Sequence, residues 1–105
     1  MSAGAARPGT PLTLALLTYA RPLDEVDAQM KAHVAWIEAA IADGAMLVAG
    51  RRDPRTGGVL LFRGSPDAVR ARAEADPFVT SGVATLELVA FSASLADPGF
   101  AALLP

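Results

Sequence analysis

The chain contains no cysteine, and this absence removes several kinds of chemistry at once. It excludes disulfide bonds, thiolate nucleophiles and zinc sites built on cysteine. Histidine is almost as scarce: His33 is the only one, so a multi-histidine metal site within one subunit is excluded as well. We therefore expect no metal site of either kind.

Basic residues are too few for a nucleic-acid-binding protein. Nine lysine and arginine residues stand against eleven acidic ones, whereas a surface that follows phosphate groups needs a basic excess. Long hydrophobic runs are also missing, because no apolar stretch reaches the length that crosses a membrane. We expect a cytoplasmic protein without nucleic-acid or membrane partners.

What the chain does contain is enough apolar sequence for one globular domain. Of its 105 residues, 52% are hydrophobic. Residues 1–11 are rich in alanine, glycine and proline and are predicted to form a disordered leader, so that the domain spans residues 12–105. The last part of the chain, residues 92–105, fits either a short helix or an extended arm that packs on a partner.

The pattern along the domain predicts the element order β-α-β-β-α-β. Apolar runs and turn residues place strands at 12–20, 45–51, 59–63 and 83–91, and helices at 24–43 and 66–75. The first helix carries an apolar stripe, which consists of Val26, Met30, Val34, Ile37 and Ile41. This order is typical of the α+β ferredoxin-like fold, an antiparallel four-stranded sheet with two helices on one face.

The second face of such a sheet has no cover within the chain. Strands one to three are apolar at both alternating sets of positions, and in strand four only Thr85 and Glu87 interrupt the apolar pattern. An uncovered apolar sheet face predicts an interface. We therefore expect a homodimer in which two sheets pack face to face.

His33 and Asp76 are the candidate catalytic residues. We expect strands one and three to run parallel, so that both residues lie roughly 15 Å along neighbouring helices that start from the same sheet edge. Helix axes about 8–10 Å apart would let the two side chains meet, directly or through water. Pro77 disfavours a helical conformation at Asp76 and would turn the carboxylate out of the helix.

A carboxylate beside an imidazole fixes the tautomer of the ring, which can then act as a general base. Elimination and isomerisation both use such a base and neither needs a metal. A structural role stays open for both residues, because a lone histidine beside an apolar stripe is often a packed residue and Asp-Pro commonly ends a helix.

Four further residues are candidates for binding a small-molecule ligand: Tyr19, Trp36, Arg51 and Ser81. Each also has an ordinary structural role open to it. The tyrosine suits an amphipathic core position, the tryptophan a helix–sheet contact and the serine a turn.

Four arginines cluster on the predicted hairpin, namely Arg51, Arg52, Arg55 and Arg63. They could hold an anionic substrate, since a guanidinium group matches a carboxylate with two hydrogen bonds. We favour a solvated edge that discourages strand-to-strand aggregation, because Asp53 lies among them and neutralises part of the charge.

Several short motifs occur together in an order that resembles the YciI-like family of the dimeric α/β-barrel superfamily. They are His33 with Trp36-Ile37, then the segments at 43–50 (DGAMLVAG), 58–62 (GVLLF), 75–78 (ADPF) and 81–84 (SGVA). The resemblance covers residues 12–91. The chain departs from the family at Met30, where an arginine is frequent, and at Gly50-Arg51, where Gly-Pro is usual.

The resemblance implies a His–Asp active site at His33 and Asp76. One related enzyme class removes HCl from a chlorinated hydroxyquinone, and more distant relatives isomerise muconolactone. We therefore predict a cofactor-independent lyase or isomerase in which His33 abstracts a proton and Asp76 orients it. The alternative is a non-catalytic module that binds a small ligand or serves as an accessory subunit.

Overall fold

Four strands and five helices make up residues 4–104, which are the residues that the computed structural model describes. The strands are β1 (Thr10–Tyr19), β2 (Met46–Arg51), β3 (Gly57–Arg63) and β4 (Ala84–Ala93). The helices are α1 (Leu23–Ala28), α2 (Met30–Ala42), α3 (Pro66–Glu74), α4 (Pro77–Thr80) and α5 (Pro98–Ala101). None of the helices in this part of the chain is long and apolar enough to cross a membrane; the cytoplasmic location stays a prediction.

The strands form one antiparallel sheet in the order β2-β3-β1-β4. The turn at 53–58 joins β2 and β3 into the predicted hairpin, and helices α1 to α4 pack on one face. This architecture confirms the α+β ferredoxin-like fold with an antiparallel sheet and helices on one face.

The predicted direction of two strands is wrong. Strands β1 and β3 are adjacent and antiparallel, with a register that runs from Leu12 opposite Arg63 to Thr18 opposite Gly57. The helices that follow them therefore leave from opposite ends of the sheet. The predicted reason for a His33–Asp76 contact, equal depth along parallel helices, therefore does not hold. The contact is possible because the chain that follows α3 reaches the end of the sheet where α2 begins.

The predicted helix at 24–43 is two helices, because the chain tightens into a turn at Gln29, whose amide bonds the Val26 carbonyl three residues earlier. The predicted core stripe is also partly wrong. Val34 and Ile41 are 42% and 46% exposed, whereas His33 and Ala40 are buried on α2. The buried positions Val26, His33 and Ala40 are seven residues apart, so they keep helical spacing across Gln29, and the core-facing side lies one residue before Val34 and Ile41.

The main core lies between the sheet and helices α1 to α4. The sheet contributes Ala15, Leu17, Leu60, Phe62 and Ala84, and the helices contribute Val26, Ala40, Val69, Ala73 and Phe78. Close packing here fixes the helices on the sheet and thereby positions the side chains between them.

The two ends of the chain pair with each other. Ala6 forms a β-bridge with Ala96, and the Gly9 amide donates to the Ala93 carbonyl at 3.0 Å. Ala6 and Gly9 thus have backbone partners in the C-terminal segment, within the stretch that we predicted to be a disordered leader. Composition cannot reveal such partners. Residues 1–3 of that leader lie outside the described residues.

The C-terminal segment forms a short helix and returns to its own domain. Leu104 is buried against Leu12 and Ala93 on the sheet face opposite the main core, and Phe100 packs beside them. This decides between the two predicted alternatives for the tail. The remainder of that face stays uncovered and apolar, with Val48, Val59, Val89 and Phe91 exposed.

Candidate active site

The side chains of His33 and Asp76 are in direct contact. His33 Nδ1 lies 2.7 Å from Asp76 Oδ1, and the pair is buried, with exposed fractions of 7% for the histidine and 0% for the aspartate. His33 stands in the first turn of α2, and Asp76 in the link between α3 and α4. The structure thus brings together two residues that are 43 positions apart in the sequence.

Local sequence fixes the carboxylate. Pro77 occupies the first turn of α4 and Asp76 has φ −55° and ψ 126°, outside the helical region, as expected before proline. The aspartate is the N-cap of α4, and its Oδ1 accepts a hydrogen bond from the Phe78 backbone N–H at 2.9 Å. The carboxylate is therefore anchored independently of the histidine.

Two aromatic rings fix the imidazole. The Phe78 ring stacks on it with centroids 3.7 Å apart and planes 2° apart. Trp36 stacks with a centroid distance of 6.1 Å and an interplanar angle of 23°. Tyr19 in turn packs edge-on against Phe78, with centroids 5.9 Å apart. These contacts leave the imidazole little freedom to tilt.

The hydrogen bonds assign a tautomer to His33. Asp76 Oδ1 accepts a hydrogen bond from the Phe78 amide, so this oxygen has no proton to donate to the imidazole. In the contact between the two side chains, His33 Nδ1 is therefore the donor and Asp76 Oδ1 is the acceptor. In the neutral ring the lone pair is then on Nε2. Nε2 has no hydrogen-bond partner among the described residues and is not completely buried, so a ligand can reach it. The pair therefore presents a free basic nitrogen.

A cavity of about 200 Å³ lies beside the imidazole. Its wall from α2 consists of Met30, His33, Val34 and Ile37, and its other walls include Leu17, Tyr19, Ala49, Arg51, Gly58, Leu60 and Phe78. The lining is mostly apolar. An apolar cavity of about 150 Å³ is enough to bind benzene, so this one fits a single six-membered ring with small substituents.

The floor of the cavity is hollow because small residues lie in two neighbouring rows of the sheet. Ala49 is opposite Leu60, and Gly58 lies between Arg51 and Leu17. All of these positions point to the helix-covered face, since side chains alternate along a strand. Larger side chains at positions 49 and 58 would occupy the space that the cavity leaves.

The structure separates the four residues that we considered for ligand binding. Tyr19 and Arg51 line the cavity beside His33. Trp36 does not line it, but stacks on His33 and packs against Phe62, as a helix–sheet contact does. Ser81 is exposed, caps the end of α4 and does not line the cavity either, which fits its turn role.

Arg51 and Arg52 are exposed at the end of the edge strand β2, as the solvated-edge interpretation expects. Arg55 and Arg63 are half-buried instead. Arg55 pairs with Asp27 of α1, Arg52 donates to Thr18 Oγ1 at 3.2 Å, and Arg63 binds the carbonyls of Gly44 and Leu103. Asp53, expected to neutralise them, has no ion pair with them; Asp27 is the acidic partner. Only Arg51 of this group keeps an unpaired side chain among residues 4–104.

The ion pair between Arg55 and Asp27 stands next to the cavity. The hydrogen bond from Arg55 holds the pKa of Asp27 below its usual value, and the same bond raises the pKa of Arg55. The guanidinium also lies over the Tyr19 ring, 5.8 Å from its centroid. The pair ties the hairpin to α1 above a residue that lines the cavity.

Sequence reasoning missed Phe78 and Gly58 as parts of the site. Phe78 belongs to the Asp76-Pro77-Phe78 triplet, and its place two residues after an N-cap was the available signal. Gly58 gave a turn signal only, since its role depends on which residue lies opposite it in the sheet. In the part of the chain that the structure describes, no three acidic or histidine side chains converge in a metal-binding cluster.

Comparison with solved structures finds the same fold in an enzyme. The chain superposes with a TM-score of 0.61 on 5-chloro-2-hydroxyhydroquinone dehydrochlorinase, TftG, from Burkholderia phenoliruptrix AC1100, solved in complex with 2,5-dihydroxybenzoquinone. The two sequences are 26% identical, and the match covers 74% of this chain and 90% of TftG.

Comparison with curated proteins and with family models completes the assignment. No curated protein matches the chain. The family model of the YCII-related domain matches residues 12–92, which include the whole sheet apart from the ends of β1 and β4 together with helices α1 to α4. His33, Asp76 and the cavity between them and the sheet lie inside this match. The chain therefore belongs to the family of YCII-related domains.

Proposed function

We propose that the protein is a small lyase or isomerase that acts on a single-ring organic substrate without a cofactor. His33 is the general base, and Asp76 orients its ring and stabilises the imidazolium that forms. The observation that carries the proposal is the free Nε2 of a doubly anchored imidazole beside a cavity the size of one ring.

The unpaired oxygen of Asp76 supports a role other than packing. Oδ2 is buried and has no hydrogen-bond partner among the described residues, and such a group destabilises a fold. Buried polar atoms of this kind are uncommon in proteins and are often kept for catalysis. A carboxylate that serves only as a helix cap has no need to be buried at 0% exposure.

The similarity to TftG suggests an elimination. In a dehydrochlorination, the base takes a proton from the substrate, the electron pair of the broken bond forms a new double bond, and chloride leaves with the C–Cl pair. Here the proton would pass to His33 Nε2, and the apolar walls would exclude water. An isomerisation uses the same proton abstraction and returns the proton to another carbon.

We further propose that the active form is a homodimer through the uncovered sheet face. Val48, Val59, Val89 and Phe91 expose apolar surface there, and they adjoin the half-buried Leu14 and Leu16 of the central strand β1. Glu87, opposite Leu16, is an exposed charged residue on this otherwise apolar face. An exposed face with this much apolar surface marks a protein–protein contact. The cavity lies on the other face, so the dimer would leave it open.

Chloride release from 5-chloro-2-hydroxyhydroquinone tests the catalytic proposal. We expect His33→Gln to lower turnover about 10²- to 10⁴-fold, the usual contribution of a general base. Lys31→Gln is a matched control, because it replaces an exposed residue on the same helix. Retained turnover in the His33→Gln protein contradicts the proposal. Ring binding without turnover in the wild type would favour the alternative binding module.

A further inference from the structure

Arg51 is the exception among the hairpin arginines. Its neighbours Arg52, Arg55 and Arg63 all have hydrogen-bond partners, as described above. The Arg51 side chain makes no hydrogen bond or ion pair with residues 4–104, and it lies at the wall of the cavity that contains His33. Asp27, whose pKa the charge of Arg51 helps to lower, is already bound by Arg55. The guanidinium is thus available to a ligand.

The sheet register explains how the arginine reaches the cavity. Arg51 pairs with Gly58, and Gly58 pairs with Leu17 on the opposite side. The three residues therefore lie in one row on the helix-covered face. Because Gly58 has no side chain, the long side chain of Arg51 can extend over it toward the cavity.

We propose that Arg51 is a specificity-determining residue that makes this cavity selective for ring substrates with an anionic oxygen group. This inference rests on the proposed function and names its substrate class more closely. A guanidinium binds carboxylate, phenolate or enolate oxygens through charge-assisted hydrogen bonds. The rest of the lining is largely apolar, so an anionic group that entered the cavity without bonding Arg51 would lose its hydrogen bonds to water and form few new ones.

Two residues at different walls of the cavity then have different roles. His33 Nε2 takes the proton from one part of the ring, and Arg51 holds the negative charge at another. The two residues lie on different elements, α2 and β2, which border the same cavity. A neutral ring of the same size would enter the apolar space but would leave Arg51 without a partner.

Binding of matched probes by calorimetry tests the inference. The anionic probes are 2,5-dihydroxybenzoquinone, which is ionised near neutral pH, and 2,5-dihydroxybenzoate, which carries a carboxylate. The neutral probe is 2,5-dimethoxybenzoquinone. We expect the wild type to bind at least one anion about tenfold or more tightly than the neutral ring, and the stronger anion identifies the preferred oxygen group.

Arginine variants locate the source of this preference. Arg51→Gln should lose about tenfold or more in affinity for the anion, with an unchanged affinity for the neutral ring, and Arg51→Lys should recover part of the loss. Arg52→Gln is the matched control, because it removes the same charge from the adjacent position, where the side chain bonds Thr18 instead. Arg51 is exposed and unpaired, so its variants should fold normally.

Two results would overturn the inference. One is a wild type that shows no preference for either anion, including a failure to bind them. The other is an Arg51→Gln protein that keeps the preference within about twofold. Failure of the proposed function gives a different result, namely retained turnover in the His33→Gln protein. That result does not depend on which ligands the arginine variants prefer.

Discussion

The imidazole of His33 lies flat on the phenyl ring of Phe78, with centroids 3.7 Å apart and planes within 2° of parallel. The residue two positions earlier, Asp76, bonds the edge of the same imidazole at Nδ1. One short segment thus holds the ring by its face and by its edge. Such double restraint would keep the proposed base oriented toward a substrate, as preorganised catalysis requires.

Replacements of Asp76 should separate its effect on the orientation of His33 from the effect of its negative charge. In Asp76→Asn the amide oxygen can still accept from both the Phe78 N–H and His33 Nδ1, so the cap and the tautomer remain. The negative charge that stabilises an imidazolium is lost, and the amide NH2 group takes the buried place of Oδ2, which has no hydrogen-bond partner among the described residues. We expect a loss of about 1–3 kcal/mol in unfolding free energy, and turnover reduced about 10²- to 10⁴-fold.

Asp76→Ala is the comparison for that variant. It removes the helix cap and leaves His33 Nδ1 unpaired, so we expect a loss of about 2–4 kcal/mol in urea unfolding. An Asp76→Ala protein as stable as the wild type would show that the hydrogen bonds at Oδ1 contribute nothing measurable.

The adjacent glycines of β3 should respond very differently to alanine. At Gly57 a Cβ atom would lie 1.8 Å from the Leu17 carbonyl oxygen, which belongs to the central strand. At Gly58 the nearest atom would be the Gly50 carbonyl oxygen at 3.2 Å, a much milder contact that requires this backbone oxygen to move by only a few tenths of an ångström. We expect Gly57→Ala to cost about 3 kcal/mol or more and Gly58→Ala to change stability by about 1 kcal/mol or less.

Gly58→Ala has a second expected effect, on ligand binding. Its methyl group would project into the floor of the cavity, so the affinity for single-ring ligands should fall although the fold is kept. Thermal unfolding and calorimetry on the same samples check both halves. A Gly57→Ala protein as stable as the wild type would contradict the register of β1 and β3.

The ion pair between Asp27 and Arg55 should make stability depend on acidic pH. The hydrogen bond from Arg55 lowers the pKa of Asp27 in the folded protein, whereas an aspartate in the unfolded chain has a pKa of about 3.9. The stabilisation is therefore complete well above that value and is lost as the pH falls through the lowered pKa. Asp27→Asn should remove this part of the acid dependence.

Urea unfolding at pH 7 and at pH 3 in low salt measures this effect. It should be small, because both side chains reach solvent and salt screens exposed pairs. Asp43→Asn is a useful parallel, since Arg72 lowers the pKa of Asp43 in the same way. Identical pH dependence in the wild type and Asp27→Asn would show that the pair adds no stability.

A charge in the uncovered sheet face should dissociate the proposed dimer. Val89 lies opposite Leu14 of the central strand and is 37% exposed. Val89→Lys would bury an unpaired ammonium group in the interface, and we expect a monomer by sedimentation at concentrations where the wild type is dimeric. Ile41→Lys is the control, because it places the same charge on the helix side. A monomeric wild type would contradict the dimer itself.

The sequence predicted the antiparallel sheet and the His–Asp pair for different reasons. Alternating apolar runs and a Gly-rich turn specify the hairpin of β2 and β3 locally. The Asp76-Pro77 dipeptide specifies an extended residue followed by a helix start, which is also a local property. The contact with His33 was expected from parallel helices, and this reasoning was wrong although the contact exists.

Local sequence determined the strands, the turns and the helix starts at Pro66 and Pro77, because each depends on residues within a few positions of one another. Composition alone excluded cysteine chemistry. Only the tertiary structure decided that α2 turns His33 inward and Ile41 outward, that Phe78 stacks on the imidazole, and that Gly58 opens space in front of Arg51. These features depend on register and packing between segments far apart in the chain, where a shift of one residue moves a side chain to the opposite face of the sheet.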